Sequence, residues 1–174
     1  MNHQLRKATT ADARALADLA AETFVETFRS QYPPDDLNLF LHQSYAVETI
    51  RNHIAAPDQL WLIAEDDAGD PIGYAQSGPC ALPHPDASSV EGEIKRIYVR
   101  ESAKGSGLAS RLMEQSLAWI EAAFGGSAWL GVWSENHRAL RFYARFGFEK
   151  VGDYDFVVGS TRDHEFILRR PRLS

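Results

Sequence analysis

The residues best placed to do chemistry are the glycine-rich run Lys104-Gly105-Ser106-Gly107-Leu108-Ala109, which lies between a strand-like and a helical stretch. Such a junction favours anions. Unpaired backbone N–H groups and the positive end of a helix dipole converge there, and glycine lets a phosphate approach the backbone. Two nucleotide loops fail on spacing. A Walker A loop needs Gly-Lys followed by Ser or Thr after four intervening residues, and no such run occurs. A dinucleotide fingerprint wants its glycines directly at the strand end and a third Gly or Ala where this chain has Ser110. Here Arg100 to Lys104 separate Val99 from Gly105, and the next strand ends in Trp133 rather than an acid. The six histidines show no His-x-x-x-His spacing, and the single cysteine, Cys80, excludes an internal disulfide and a cysteine-cluster metal site. No metal is expected.

The chain has 174 residues, 44 % hydrophobic and 24 % charged, which is the composition of one globular domain spanning 1–174. Its net charge of −6 argues against a nucleic-acid partner, whose binding needs a basic face. Residues 1–87 carry five basic and thirteen acidic side chains, and residues 88–174 carry thirteen and eleven. An acidic first half suits a cationic ligand, and a mildly basic second half tolerates a phosphorylated one. No uncharged apolar run approaches the ~18 residues of a membrane span, and Met1 to Arg6 do not lead into a signal-peptide core. No membrane partner and a cytoplasmic location are therefore expected.

These residues must be positioned by elements that the periodicity reveals. Residues 4–8 suit a short strand, and Leu16, Leu19, Ala20, Phe24 and Phe28 recur at helical spacing after Thr9 to Asp12. Tyr32-Pro33-Pro34 breaks that helix, and helical patterns resume from Asp35 to Tyr45 and from Val47 to Ala55. Leu60 to Ala64 and Ile72 to Ala75 read as a hairpin, followed by a long loop to Ser89. The strand Glu93 to Val99, the glycine loop, a helix with Leu108, Leu112, Leu117 and Ile120, and the strand Ala128 to Trp133 come next. Ser134 is the expected cap of a helix with the stripe Ala139, Phe142, Tyr143 and Phe146, ended by Gly147. Arg138, Arg141 and Arg145 recur along that helix and read as a solvated basic face, the alternative being contact with a phosphate of a bound ligand. Residues 148–158 and 162–169 supply two last strands, so the class is α/β with a mixed sheet.

Two motifs carry a resemblance. Ile97-Tyr98-Val99, four residues, then Lys104 to Ala109 resembles the acetyl-CoA loop of the GCN5-related N-acetyltransferases (GNAT), with Lys104 where Gln or Arg is usual. Asn136-x-x-Ala139-x-x-Phe142-Tyr143-x-x-x-Gly147-Phe148 resembles the second block of the same family. Glu22-Thr23-Phe24, Trp129 to Trp133 and Gly152 to Phe156 look like the PaiA-type spermidine/spermine N-acetyltransferases within it. The resemblance implies a mostly antiparallel sheet of six or seven strands with a parallel pair at the acetyl-CoA site, flanked by about four helices. It also implies acetyl-CoA as cosubstrate, transferred directly to a primary amine. The expected acceptor is a polyamine or another small cationic amine; the alternatives are a protein N-terminus or lysine, or a silent CoA-binding regulator.

Acetyl transfer to an amine poses two proton problems. An alkylamine of pKa ~10.4 is almost wholly protonated at pH 7, a handicap of ~4.6 kcal/mol that a base relieves. Glu93, six residues before Val99, resembles the catalytic glutamate of relatives, and strict alternation puts it on one face with Lys95, Ile97 and Val99. The leaving thiolate is helped by an acid that stays protonated, and by resemblance Tyr143 fills that role. The resemblance further assigns Ile97, Tyr98 and Val99 to the thioester, the Val99 amide to the oxyanion, Asn136 to the pantetheine arm, and Lys104, Gly105, Ser106, Gly107, Leu108 and Ala109 to the pyrophosphate. Glu22, Glu26, Asp35 and Asp36 are the expected partners of the acceptor's ammonium groups, and exposed edge strands are compatible with a homodimer.

Overall fold

In the computed structural model, which describes residues 3–172, strand β1 (Gln4–Lys7) runs into a 3-10 turn at Thr10–Asp12 and then helix α1 (Ala13–Phe28). The Asp12 carboxylate accepts the Thr9 N–H at 2.7 Å and so closes the turn. Pro33 and Pro34 sit where a missing N–H costs nothing, just before and at the start of α2 (Pro34–Ser44), and α3 (Val47–Ala55) follows. The hairpin is β2 (Leu60–Glu65) and β3 (Pro71–Pro79). Then come β4 (Gly92–Val99), α4 (Leu108–Phe124), β5 (Ala128–Trp133), α5 (His137–Arg145), β6 (Glu149–Val158) and β7 (Thr161–Arg170).

The seven strands form one sheet in the order β1-β2-β3-β4-β5-β7-β6, antiparallel except for β4 beside β5. Alternation along the strands divides the core. Trp61 and Ile63 of β2 join Tyr74 under α1 to α3, whereas Leu60, Leu62 and Ala64 face α4 with Leu108 and Leu112. A third cluster, with Ile94, Met113, Ile120, Leu130 and Phe148, seats α4 and α5 on the centre of the sheet. Gly92 permits that seat: a Cβ there would lie 2.5 Å from Ile120 Cγ2. Among the described residues no helix is long and apolar enough to cross a membrane.

Two sequence expectations are corrected. Gln76 pairs with Arg96 and Ser77 with Ile94, so Lys95 has no partner on β3 and forms a bulge. The extra residue reverses the alternation. Glu93, opposite Gly78, shares its face with Arg96 and Tyr98 and not with Ile97 and Val99. The cap of α5 is Asn136, not Ser134: the Ala139 N–H donates to Asn136 Oδ1 at 3.2 Å, two residues further along than the helical stripe suggests.

Arg6 ties the start of the fold together, reaching Asp12 at 2.8 Å and Glu65 at 2.6 Å. Its guanidinium holds the Asp12 carboxyl down at about 2, and the Thr9 N–H assists. A carboxyl depressed in the folded state stabilises the fold above its ordinary value near ~3.9 and ceases to do so as pH falls through about 2. With Arg6 a third exposed, this is worth on the order of 1–2 kcal/mol. Urea unfolding of Asp12→Asn is therefore expected to show that loss at pH 5 and a difference from the parent that shrinks towards pH 2; a constant difference would refute the pairing.

Candidate active site

Strands β4 and β5 pair only at Gly92–Ala128 and Glu93–Trp129, and then part. From Ile94 onward, the β4 edge turned towards β5 borders a cleft of about 620 Å³ that passes between the strands. Ile97, Tyr98 and Val99 form its β4 edge; Lys104, Gly105, Gly107, Leu108 and Ala109 border it at the N-terminus of α4; Asn136 and Tyr143 close it from the α5 side. Ser106 turns away, its hydroxyl donating to the Ala103 carbonyl at 2.7 Å.

The loop's conformation follows from its glycines. Gly105 and Gly107 both have φ +82°, the left-handed region, and a Cβ at either would project into open space. The first helical bond of α4 runs from Arg111 N–H to Gly107 C=O at 3.2 Å, so the amides of Leu108, Ala109 and Ser110 precede the helical ladder. These donors and the helix dipole border the cleft, an arrangement that favours an anion. Arg138, Arg141 and Arg145, read from sequence as a solvated face, border the same cleft. They make its mouth basic, while Lys104 is paired with Glu101.

Tyr143 packs its ring against Phe142 and Phe148, with centroids 5.5 and 6.0 Å away. Burial, and secondarily the Glu165 charge, push its phenol above the ordinary tyrosine value, so it is protonated throughout the neutral range. Glu93 does not border the cleft. Its carboxylate accepts the Ala81 N–H at 2.9 Å and Lys95 Nζ at 3.2 Å, which holds the β3–β4 loop to the bulge.

The four expected acceptor residues also lie outside the cleft. Glu22 pairs with Arg100 at 2.6 Å and Glu26 accepts the Glu101 N–H at 3.3 Å, both fastening α1 to the segment after β4. Asp36 accepts the Ser160 N–H and hydroxyl at 3.1 and 2.8 Å, pinning α2 to the β6–β7 turn, and those bonds lower its pKa. Asp35 is exposed at the start of α2.

The cleft instead contains Glu165, which sequence reasoning missed. On β7 it faces Trp133 on one side and Tyr154 on the other, and the Tyr154 hydroxyl donates to Glu165 Oε2 at 2.6 Å. Gly131 makes the space: a Cβ there would lie 2.5 Å from Tyr154 Oη and 3.2 Å from Glu165 Oε2. Glu165 lies in no motif, and only the missing side chain at Gly131 hinted at a crowded spot. Phe28 and Trp133, 6.3 Å apart, line the α1 side, continuous with the rings of Phe24, Tyr32 and Phe40.

Residues 15–148 match the model of the acetyltransferase (GNAT) family. An uncharacterized N-acetyltransferase of Mycobacterium tuberculosis is 31 % identical over 159 residues, 91 % of this chain and 97 % of that one. Another from Lactobacillus delbrueckii subsp. lactis is 29 % identical over 156 residues, 87 % of each. The crystal structure of the PaiA N-acetyltransferase from Thermoplasma acidophilum in complex with coenzyme A superposes with a TM-score of 0.79 at 21 % identity, covering 98 % of this chain and 99 % of that one. That superposition matches the fold, and the family match over residues 15–148 together with the 31 % identical relative establishes that this chain belongs to the GNAT family of acetyltransferases.

Proposed function

We propose that this acetyltransferase takes its acetyl group from acetyl-CoA and transfers it directly to a primary amine, most simply a polyamine or another small organic cation. One observation carries the reading: the amides of Ala109 and Ser110 that precede the helical ladder of α4, the parted β4 edge and Tyr143 all border one cleft. The pyrophosphate fits the amides of Gly105, Gly107, Ala109 and Ser110, because the open space beside Gly105 and Gly107 admits it and the basic side chains at the mouth balance its charge. The cosubstrate supplies an activated acyl group as a thioester. Val99 and its neighbours offer backbone donors to the carbonyl oxygen, Asn136 shapes the arm's path while capping α5, and Tyr143 donates to the departing sulfur.

The acceptor side supports a cation. Phe28 and Trp133 give aromatic faces, and Glu165, with Asp163 two residues away and bonded to Tyr32, gives negative charge. Relatives have different acceptors in their names. A spermine/spermidine N(1)-acetyltransferase of Bacillus subtilis is 28 % identical over 91 residues, and a phosphinothricin N-acetyltransferase of Streptomyces coelicolor 32 % over 98. An N-alpha-acetyltransferase RimI of Mycobacterium tuberculosis, 29 % identical over 144 residues, favours a protein N-terminus as the second reading.

A thiol-release assay with spermidine, phosphinothricin, free amino acids, aminoglycosides and peptides separates these. The expected result is the highest kcat/KM for spermidine or another amine with more than one positive charge. Preference for a peptide would favour the second reading, and release with none of them would overturn amine transfer.

A further inference from the structure

We propose that Glu165, oriented by Tyr154, is the catalytic group that takes the proton from the acceptor ammonium; the proposal rests on the acetyl-transfer reading above. The two proton-handling side chains then stand on opposite faces of the sheet. Tyr143 approaches the gap from α5, Glu165 and Tyr154 approach it from the face covered by α1 and α2, and Gly131 lies between them on β5. An amine entering past Phe28 and Trp133 meets Glu165 before it reaches the gap.

Three features suit Glu165 for this. Its Oε2 is held by the Tyr154 hydroxyl, which fixes the carboxylate plane, and among the described residues no cation pairs with it. The groups facing it are Tyr154 on β6, Asp163 on β7, Tyr143 on α5 and Tyr32 beyond the end of α1, and none of them carries positive charge. Burial, then the Asp163 charge, raise its pKa against the lowering effect of Tyr154, which brings a carboxylate closer to the range where a general base works. Glu93 is not free in this way: its carboxylate is occupied by Lys95 and the Ala81 amide outside the cleft.

Glu165 takes one N–H proton from the ammonium, and the freed lone pair forms the N–C bond to the acyl carbon. The C–S bond breaks with its electron pair on sulfur, which receives the Tyr143 proton. The second ammonium proton restores Tyr143, and Glu165 releases its own to solvent, so the products are the amide, the thiol and one proton.

The test uses Glu165→Gln and Tyr154→Phe with spermidine, and with phosphinothricin as second acceptor. Glu165→Gln is expected to keep the calorimetric affinity for coenzyme A within about twofold and to lower kcat/KM by ~10²-fold or more at pH 7. The loss shrinks towards pH 10, where the amine arrives neutral. Tyr154→Phe loses less, about tenfold, because the carboxylate remains and only its orientation is relaxed. Independently of turnover, carbon-13 NMR of labelled glutamate is expected to show one carboxyl, absent from Glu165→Gln, titrating above the ordinary range. A wild-type pH–rate profile in Glu165→Gln, or an ordinary titration of that carboxyl, overturns the proposal. If the parent binds coenzyme A but acetylates neither amine, the acceptor reading has failed instead, and the NMR titration still decides the state of Glu165.

Discussion

Tyr143→Phe is expected to lower kcat by ~10²-fold or more while leaving the affinity for coenzyme A unchanged. The substitution removes one hydroxyl and nothing else, since a phenylalanine ring fills the same place between Phe142 and Phe148. The effect belongs in kcat because the hydroxyl is needed only when negative charge develops on the leaving sulfur. A phenol held above its ordinary pKa by burial is never lost to ionisation near neutrality, so wild-type activity should show no fall attributable to Tyr143 below about pH 10. Steady-state kinetics of the pair, with circular dichroism to confirm equal folding, decide the matter: equal turnover would remove Tyr143 from the mechanism.

The double substitution Gly105→Ala/Gly107→Ala is expected to weaken coenzyme A binding by ~10²-fold, about 2.7 kcal/mol. Both positions sit at φ +82°, where an alanine costs ~1–2 kcal/mol. No neighbouring atom obstructs a Cβ at either site, so the loop is free to relax out of the strained region, and in doing so it turns its amides from the cleft. Gly125→Ala is the control. It has φ +81° and equally open surroundings but lies at the far end of α4, so it lowers Tm without altering Kd. Calorimetry on the three proteins separates loop geometry from general strain, and an unchanged Kd in the double variant would mean that the loop does not hold the diphosphate.

What the sequence disclosed and what it concealed divide along a physical line. The glycine loop and the block from Asn136 to Phe148 were legible because backbone conformation and helical stripe are local properties, written in consecutive residues. The order of strands and helices was legible for the same reason. The bulge at Lys95 was not, because a single unpaired residue depends on how Gln76 and Ser77 meet it from another strand. That one residue undid the expected face of Glu93. Glu22, Glu26 and Asp36 have the right chemistry for an ammonium, but a carboxylate's partner is set in three dimensions, and theirs are Arg100, the Glu101 amide and Ser160. Glu165 and Tyr154 meet across the last hairpin at a place opened by Gly131, a juxtaposition of three strands that no linear spacing encodes.

The brief contact between β4 and β5 has a mechanical side as well. With two residue pairs joining them, the sheet is less a single plank than two leaves, β1 to β4 and β5 to β7, bound along a short spine at one end. The outer margins of the leaves are kept at a set opening chiefly by α4 and α5 lying across one side and α1 and α2 across the other. Whatever slides between them acts as a bookmark, completing by its own bonds the rigidity that the missing ladder withholds.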